Sequence, residues 1–178
     1  MKNRDNILAS TSTFGKFSNK HIIKIQKDYN LIINPKNKKL SEQELISLLN
    51  EYQPIGLLAG TEKISKKTLN SAKNYLRIIS RVGVGYDNIN LNYANEIGIK
   101  VFRTAGVLNH SVAELTIGLI LCSLRKIIQS NNSIIEGKWE KADGNLLKGK
   151  TVGIIGLGEI GETVRDLLIA FGCKVYFY

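Results

Sequence analysis

The sequence predicts an α/β protein built on two separate parallel sheets, and three observations carry that prediction. Between residues 7 and 103, short apolar runs alternate with stretches of helical periodicity, the pattern of repeated βα units that cover a parallel sheet on both faces. Residues 150–178, GKTVGIIGLGEIGETVRDLLIAFGCKVYFY, read as strand, glycine turn, helix and strand. Between the two series, Thr104-Ala105-Gly106 has the composition of a hinge, so the second unit belongs to a different domain from the first.

Taken in order, Ile7 to Ser10 is a short strand, Ser18 to Tyr29 a helix with Ile22, Ile23 and Ile25 on or near one face, and Leu31 to Ile33 a second strand. Ser41-Glu42-Gln43-Glu44 is a capping box, in which Ser41 and Glu44 satisfy each other's backbone donors ahead of a helix burying Leu45, Leu48 and Leu49. Ile55 to Ala59 follows as a third strand, Lys66 to Ala72 as a short helix, and Leu76 to Ser80 as a fourth strand. After the loop Arg81 to Asn88 comes a helix closed by Gly98, then a fifth strand from Ile99 to Arg103. Ser111 to Gln129 is predicted as one long helix offering Val112, Leu115, Leu119, Cys122 and Ile127 for packing. In the last unit Val152 to Ile155 suits a buried strand, and Val164, Leu167, Leu168 and Phe171 recur at helical spacing before a Gly172 stop. Lys174 to Tyr178 is the final strand.

Composition narrows the function classes. At 178 residues, 43% hydrophobic with two prolines, the chain is an ordinary α/β protein of one or two domains. The first ten residues lack a signal peptide's apolar core, and the longest apolar stretch, Leu115 to Leu124, is too short to span a bilayer. Cys122 and Cys173 show no metal or redox spacing, so no metal site and a reduced, cytoplasmic setting are expected. The net charge of +10 comes from a lysine excess, 19 against six arginines, with nine basic and two acidic residues in the first 40. Without an aromatic-and-arginine patch or a recognition helix, this reads as a solvated surface and not as a nucleic-acid reader.

The segment Gly156-Leu157-Gly158-Glu159-Ile160-Gly161 carries specific chemistry. Glycine lets such a turn close tightly and lets backbone approach a pyrophosphate, whose charge meets the free N–H groups and positive end of the following helix. In the dinucleotide-binding version an Asp or Glu about 20 residues onward takes the ribose hydroxyls. That position would follow Tyr178, so the chain is expected to be incomplete.

Several ordered stretches then become recognisable together: Ile79-Ser80-Arg81-Val82-Gly83-Val84-Gly85-Tyr86-Asp87-Asn88-Ile89-Asn90-Leu91, Gly98-Ile99-Lys100-Val101, Val112-Ala113-Glu114-Leu115-Thr116, and Leu147-Lys148-Gly149-Lys150-Thr151 leading into the glycine fingerprint. They closely resemble the D-isomer-specific 2-hydroxyacid dehydrogenases, in particular the phosphoglycerate-dehydrogenase-like branch. The resemblance covers nearly the whole chain and is strongest from Ile78 onward.

That resemblance implies a flavodoxin-like substrate domain, of which residues 1–102 are the N-terminal part, followed by the first βαβ part of a truncated Rossmann NAD-binding domain, residues 103–178. The implied function is an NAD-dependent oxidoreductase acting on the CH–OH group of a D-2-hydroxy acid, with 3-phosphoglycerate one candidate. Val84 and Gly85 match the loop whose backbone N–H groups hold the substrate carboxylate, and Gly156, Gly158, Glu159, Ile160 and Gly161 match the pyrophosphate turn. The family's catalytic Arg, Glu and His lie beyond Tyr178, so no catalytic residue is assigned and the 178-residue chain itself is expected to be inactive. Of the two histidines present, His21 reads as a helix-surface residue and His110 as a polar residue at the start of the long helix. The implied partners are a small-molecule 2-hydroxy or 2-oxo acid and, in the complete protein, a second copy; neither nucleic acid nor membrane is expected. The alternative is a non-catalytic fragment binding a carboxylate ligand or a protein partner. The chain departs from the family pattern at Ala105, where Pro is frequent, at Leu108-Asn109, where Asn-Thr is frequent, and at Ala59-Gly60-Thr61-Glu62, which lacks an Arg-Ser pair common among phosphoglycerate dehydrogenases. Asn90 stands where Asp is common, and either residue caps a helix.

Overall fold

The structure, a computed structural model, describes residues 4–178. The chain divides into two compact units, one ending at Ala105 and the other running from Gly106 to Tyr178.

The first unit alternates strand and helix as β1 (Asn6–Ala9), α1 (Lys20–Gln26), β2 (Asn30–Ile33), α2 (Glu42–Tyr52), β3 (Gly56–Ala59), α3 (Lys66–Ala72), β4 (Ile78–Arg81), α4 (Leu91–Glu96) and β5 (Lys100–Arg103). Its five strands are all parallel in the order β2-β1-β3-β4-β5, the flavodoxin-like arrangement. Leu8, Leu57 and Ile79 from the central strands meet Leu45 and Leu49 of α2 and Leu69 of α3 in one buried core. The capping box at Ser41 has both of its bonds: the Glu44 N–H donates to Ser41 Oγ at 3.3 Å, and the Ser41 N–H donates to Glu44 Oε2 at 2.8 Å. Glu42 ties α2 to α3 by accepting from Ser65 Oγ and, at 2.9 Å, from Thr68 Oγ1. Those hydroxyls, the Ser65 bond foremost, hold its carboxyl below the usual range. Asn90 caps α4 by accepting from the Tyr93 N–H at 3.0 Å, and Gly98 closes that helix with φ +76°. Helix α1 is shorter than the predicted Ser18 to Tyr29 and buries no residue completely; Ile22 and Ile25 are half-buried and Ile23 is exposed.

The second unit contains α5 (Asn109–Leu124), α6 (Ile127–Ile135), β6 (Thr151–Ile154), α7 (Glu159–Ala170) and β7 (Lys174–Phe177), with β6 and β7 paired in parallel. Its core joins Ala113 and Ile117 of α5, Leu147, and Val164 and Leu168 of α7. Two expectations are corrected here. The predicted single helix Ser111 to Gln129 is two helices, broken where Lys126 adopts a left-handed φ of +52°. The packing face is also different: Leu115 and Leu119 are exposed at 63% and 61%, with Val112 and Ile127 also exposed and Cys122 half-buried. Apolar residues surround α5 on nearly every side, so periodicity does not select a face. The close approach to α7 goes instead through the small side chain of Ala113, with Ile117, Leu121 and Leu124 on the same side. Among the described residues no helix is long and apolar enough to cross a membrane.

Candidate functional site

In the first unit the parallel strands bring Ser10, Gly60, Val82 and Thr104 to one edge of the sheet, just past the C-terminal ends of β1, β3, β4 and β5, where sheets of this type bind ligands. The strand order reverses between β1 and β3. A buried polar network fills that point. Glu62 accepts from Ser10 Oγ and, at 2.9 Å, from the Gly60 N–H, while Ser10 Oγ also reaches the Leu58 carbonyl at 3.1 Å. Asn34 Nδ2 donates to the Ser10 carbonyl at 2.7 Å. Asn88 Nδ2 donates to the Glu62 and Gly60 carbonyls at 2.6 and 3.3 Å, so the end of the β4–α4 loop is fastened to the β3 end. A Cβ on Gly60 would stand 2.7 Å from Glu62 Oε2 and 3.1 Å from Thr11 Cβ, so the buried carboxylate occupies the space that a larger residue at position 60 would need.

The loop leaving β4 carries the two residues assigned to substrate. Gly83 is buried with φ +146°, a conformation suited to glycine, and its N–H donates to Thr104 Oγ1 and to the Arg81 carbonyl, both at 2.9 Å. Arg81 folds back so that its guanidinium donates to the Val82 carbonyl and lies against Gly83, where any Cβ would overlap it. Its Nε is buried and, among the described residues, has no hydrogen-bond partner. Val84 is half-buried and Gly85 exposed. Among the described residues neither backbone N–H donates to a protein acceptor, whereas the carbonyls of Gly83 and Val84 are engaged by the Thr104 N–H at 3.1 Å and by Arg103 Nη1 at 3.3 Å. Two adjacent free N–H groups are donors of the kind a carboxylate takes up.

The second unit builds the glycine turn between β6 and α7. Gly156 takes φ +93°, and its N–H donates to the Tyr178 carbonyl at 2.9 Å. A Cβ on Gly161 would overlap the Gly156 carbonyl oxygen, so the third glycine is demanded by the turn itself. Gly158 differs. Its φ of −86° is open to any residue, and a Cβ there would meet nothing within 4 Å. The fold does not require glycine at 158, and the open side of the turn is where a ligand's pyrophosphate would need to approach backbone. Glu162 is the first residue of α7 whose N–H bonds back, to Gly158 at 2.8 Å. Among the described residues the N–H groups of Gly158, Glu159, Ile160 and Gly161 have no protein acceptor. These donors and the open face at Gly158 fit a dinucleotide. Glu159 begins the helix, and its Oε2 accepts from Asn109 Nδ2 at 3.0 Å. His21 and His110 are exposed, on α1 and near the start of α5.

Sequence reasoning singled out Val84, Gly85 and the glycine turn. It did not single out Glu62, whose burial depends on Ser10 and Gly60 meeting across the sheet, nor the Arg103–Thr104 contacts, which span 19 and 21 residues. The nearest signal was Asn88, an amide at the end of a glycine-rich loop with no helix of its own to cap.

Known proteins resemble this chain in sequence and fold. A hydroxypyruvate reductase of Thermotoga maritima is 41% identical over 144 residues, covering 80% of this chain and 46% of that protein. A D-3-phosphoglycerate dehydrogenase of Sus scrofa is 39% identical over 143 residues, covering 79% of this chain and 26% of that protein. The chain thus spans less than half the length of these relatives. The crystal structure of cofactor (NAD+)-bound 3-phosphoglycerate dehydrogenase in Entamoeba histolytica superposes with a TM-score of 0.76 at 28% identity, over 98% of this chain and 54% of that one. A family model described as D-isomer specific 2-hydroxyacid dehydrogenase, catalytic domain, matches residues 11–174, and the chain belongs to that family.

Proposed function

We propose that this chain supplies the carboxylate cradle and the pyrophosphate turn of a cytoplasmic, NAD-dependent oxidoreductase acting on the CH–OH group of a D-2-hydroxy acid, with 3-phosphoglycerate among the candidate substrates. In this reading the first unit is the N-terminal part of the substrate domain, and the NAD-binding domain begins near residue 103. The N–H groups of Val84 and Gly85 hold the substrate carboxylate. The N–H groups of Gly158, Glu159, Ile160 and Gly161, at the positive end of α7, hold the pyrophosphate. Gly156 and Gly161 keep the turn closed. The nicotinamide, when bound, accepts or donates the hydride; the residues of this chain bind and orient.

The observation that carries the reading is Gly158, a glycine in an unstrained conformation with open space where its side chain would be. Its lack of a side chain is accounted for by a ligand that meets the backbone there. The test is calorimetry with NADH on the unsubstituted protein and on Gly158→Val, beside NADH oxidation with glyoxylate, hydroxypyruvate and 3-phosphohydroxypyruvate. Saturable NADH binding lost in the variant supports the cofactor site, and preference among the three acids identifies the substrate. Equal binding by both proteins overturns the assignment of the turn. Turnover is read on the complete protein, since the 178 residues alone are expected to bind without catalysis; NADH binding by the complete protein with no turnover of any of the acids would favour the non-catalytic alternative.

We also propose a homodimer. The exposed Leu115 and Leu119 on one face of α5, with Ile128 and Ile135 exposed on α6, support it, because large exposed apolar side chains on adjacent helices are surface that association can cover.

A further inference from the structure

We infer that Arg103 and Thr104, at the end of β5, are positioning residues that aim the two amide N–H groups of the carboxylate cradle; the inference rests on the function proposed for the Val84–Gly85 loop.

In a trans peptide the C=O of one residue and the N–H of the next lie in one plane and point in opposite directions, and no cis peptide is present among the described residues. Fixing a carbonyl from one side therefore fixes where the following N–H points. The Thr104 N–H donates to the Gly83 carbonyl at 3.1 Å, which turns the Val84 N–H the other way. Arg103 Nη1 donates to the Val84 carbonyl at 3.3 Å, which does the same for the Gly85 N–H. The two carbonyls are gripped by consecutive residues at the end of β5, one through the Thr104 backbone and one through the Arg103 side chain, so each N–H points away from the group that holds its peptide. The Gly83 N–H is taken up by Thr104 Oγ1 and the Arg81 carbonyl, leaving the next two amides as the free pair.

Arg103 is suited to this grip because its guanidinium is held twice. It also lies over the Tyr86 ring, 4.8 Å from the ring centre, and Tyr86 belongs to the same loop. A cation bonded to a carbonyl draws electron density through the peptide and strengthens the N–H on its far side as a donor. The two donors are not equivalent. The Val84 amide is fixed from the backbone, which no side-chain substitution removes, whereas the Gly85 amide depends on a side chain. Arg103 substitutions should therefore disturb Gly85 and spare Val84, a difference that a general loosening of the loop would not produce.

The test uses the 15N-labelled 178-residue protein titrated with oxamate, an unreactive analogue of a 2-oxo acid, at constant chloride. In the unsubstituted protein the Val84 and Gly85 amide resonances should move with oxamate. In Arg103→Met the dissociation constant should rise roughly tenfold, the loss expected for a bond made by a charged donor. Before any oxamate is added, the Gly85 resonance should already have moved and that of Val84 should not. Arg103→Lys keeps the charge without the flat stack on Tyr86, so it should recover only part of the affinity. Full recovery by lysine would show that charge alone acts and overturn positioning. Unchanged affinity in Arg103→Met, or equal displacement of both amides, would overturn it as well. An unsubstituted protein whose Val84 and Gly85 amides ignore oxamate would overturn the cradle reading itself, and this inference with it.

Discussion

Asn109 Nδ2 donates to Glu159 Oε2 at 3.0 Å, so the first residue of α5 holds the side chain of the first residue of α7. A carboxylate at a helix N-terminus is stabilised by the helix dipole, but the same positive end is the proposed pyrophosphate site, and two anions there repel. Glu159→Gln should therefore tighten NADH binding by roughly twofold to fivefold, the scale of a helix-terminus charge effect of about 0.3–1 kcal/mol. Asn109→Ala should weaken binding by releasing the carboxylate, and only while Glu159 is present. Calorimetry on the two single variants and the double variant decides it; unchanged affinity in Glu159→Gln would remove the charge from the account.

The three glycines of the turn should fail in different ways. Gly161→Ala forces a Cβ into the Gly156 carbonyl oxygen and should destabilise the second unit by about 1–3 kcal/mol, as overpacking does. Gly158→Ala meets no protein atom and should leave the melting temperature in place while lowering NADH affinity more than tenfold, the loss expected if a methyl displaces the ligand by enough to break one charge-assisted bond, about 1.5–3 kcal/mol. A melting temperature lowered equally by both substitutions would mean that Gly158 serves the fold.

What was legible in the sequence follows the range of the interactions. The Ser41–Glu44 capping box, the Asn90 cap and the glycine turn lie within a few residues, so their chemistry is written locally. The α5 face was not legible, because Leu115 and Leu119 are as apolar as Ile117 and Leu121, and only contact with α7 distinguishes them. The break at Lys126 left no signal either, since lysine carries no preference for the left-handed conformation it takes there. Glu62 and Arg103 are unremarkable surface types until parallel pairing brings Ser10 beside the one and Val84 beside the other.

Acid should act on the first unit through Glu44. The Lys36 ammonium bonded to it, then the Ser41 N–H, bring its carboxyl from 4.5 down to about 2. A carboxyl with a depressed folded-state pKa stabilises the native state above its unfolded pKa and loses that contribution as pH falls through the folded one. The contribution should therefore be whole above about pH 4.5 and fade toward about pH 2. Urea unfolding followed across that window should show a shallower loss of stability in Glu44→Gln than in the unsubstituted protein. Parallel curves would mean that solvent screens the pair completely.

Association should run through α5 and be separable from folding. Leu115 and Leu119 stand one turn apart, 63% and 61% exposed, on a different side of the helix from Ala113 and Ile117, which pack on α7. Ile128 and Ile135 of α6, 59% and 76% exposed, add to the same unit's uncovered apolar surface. Apolar area gains about 25 cal/mol per Å² when it leaves water, so a second copy covering this face is favoured as long as no charge is buried with it. Leu119→Arg places such a charge at the centre of the face without touching the α5–α7 core. Sedimentation equilibrium should show a dimer for the unsubstituted protein and a dissociation constant raised at least a hundredfold in the variant, the cost of burying one unpaired cation being several kcal/mol. The α-helical signal and melting of the variant's second unit should persist, because the residues that hold α5 to α7 are unchanged. An unsubstituted protein that stays monomeric at high concentration, or a variant that dimerises equally well, would move the interface elsewhere.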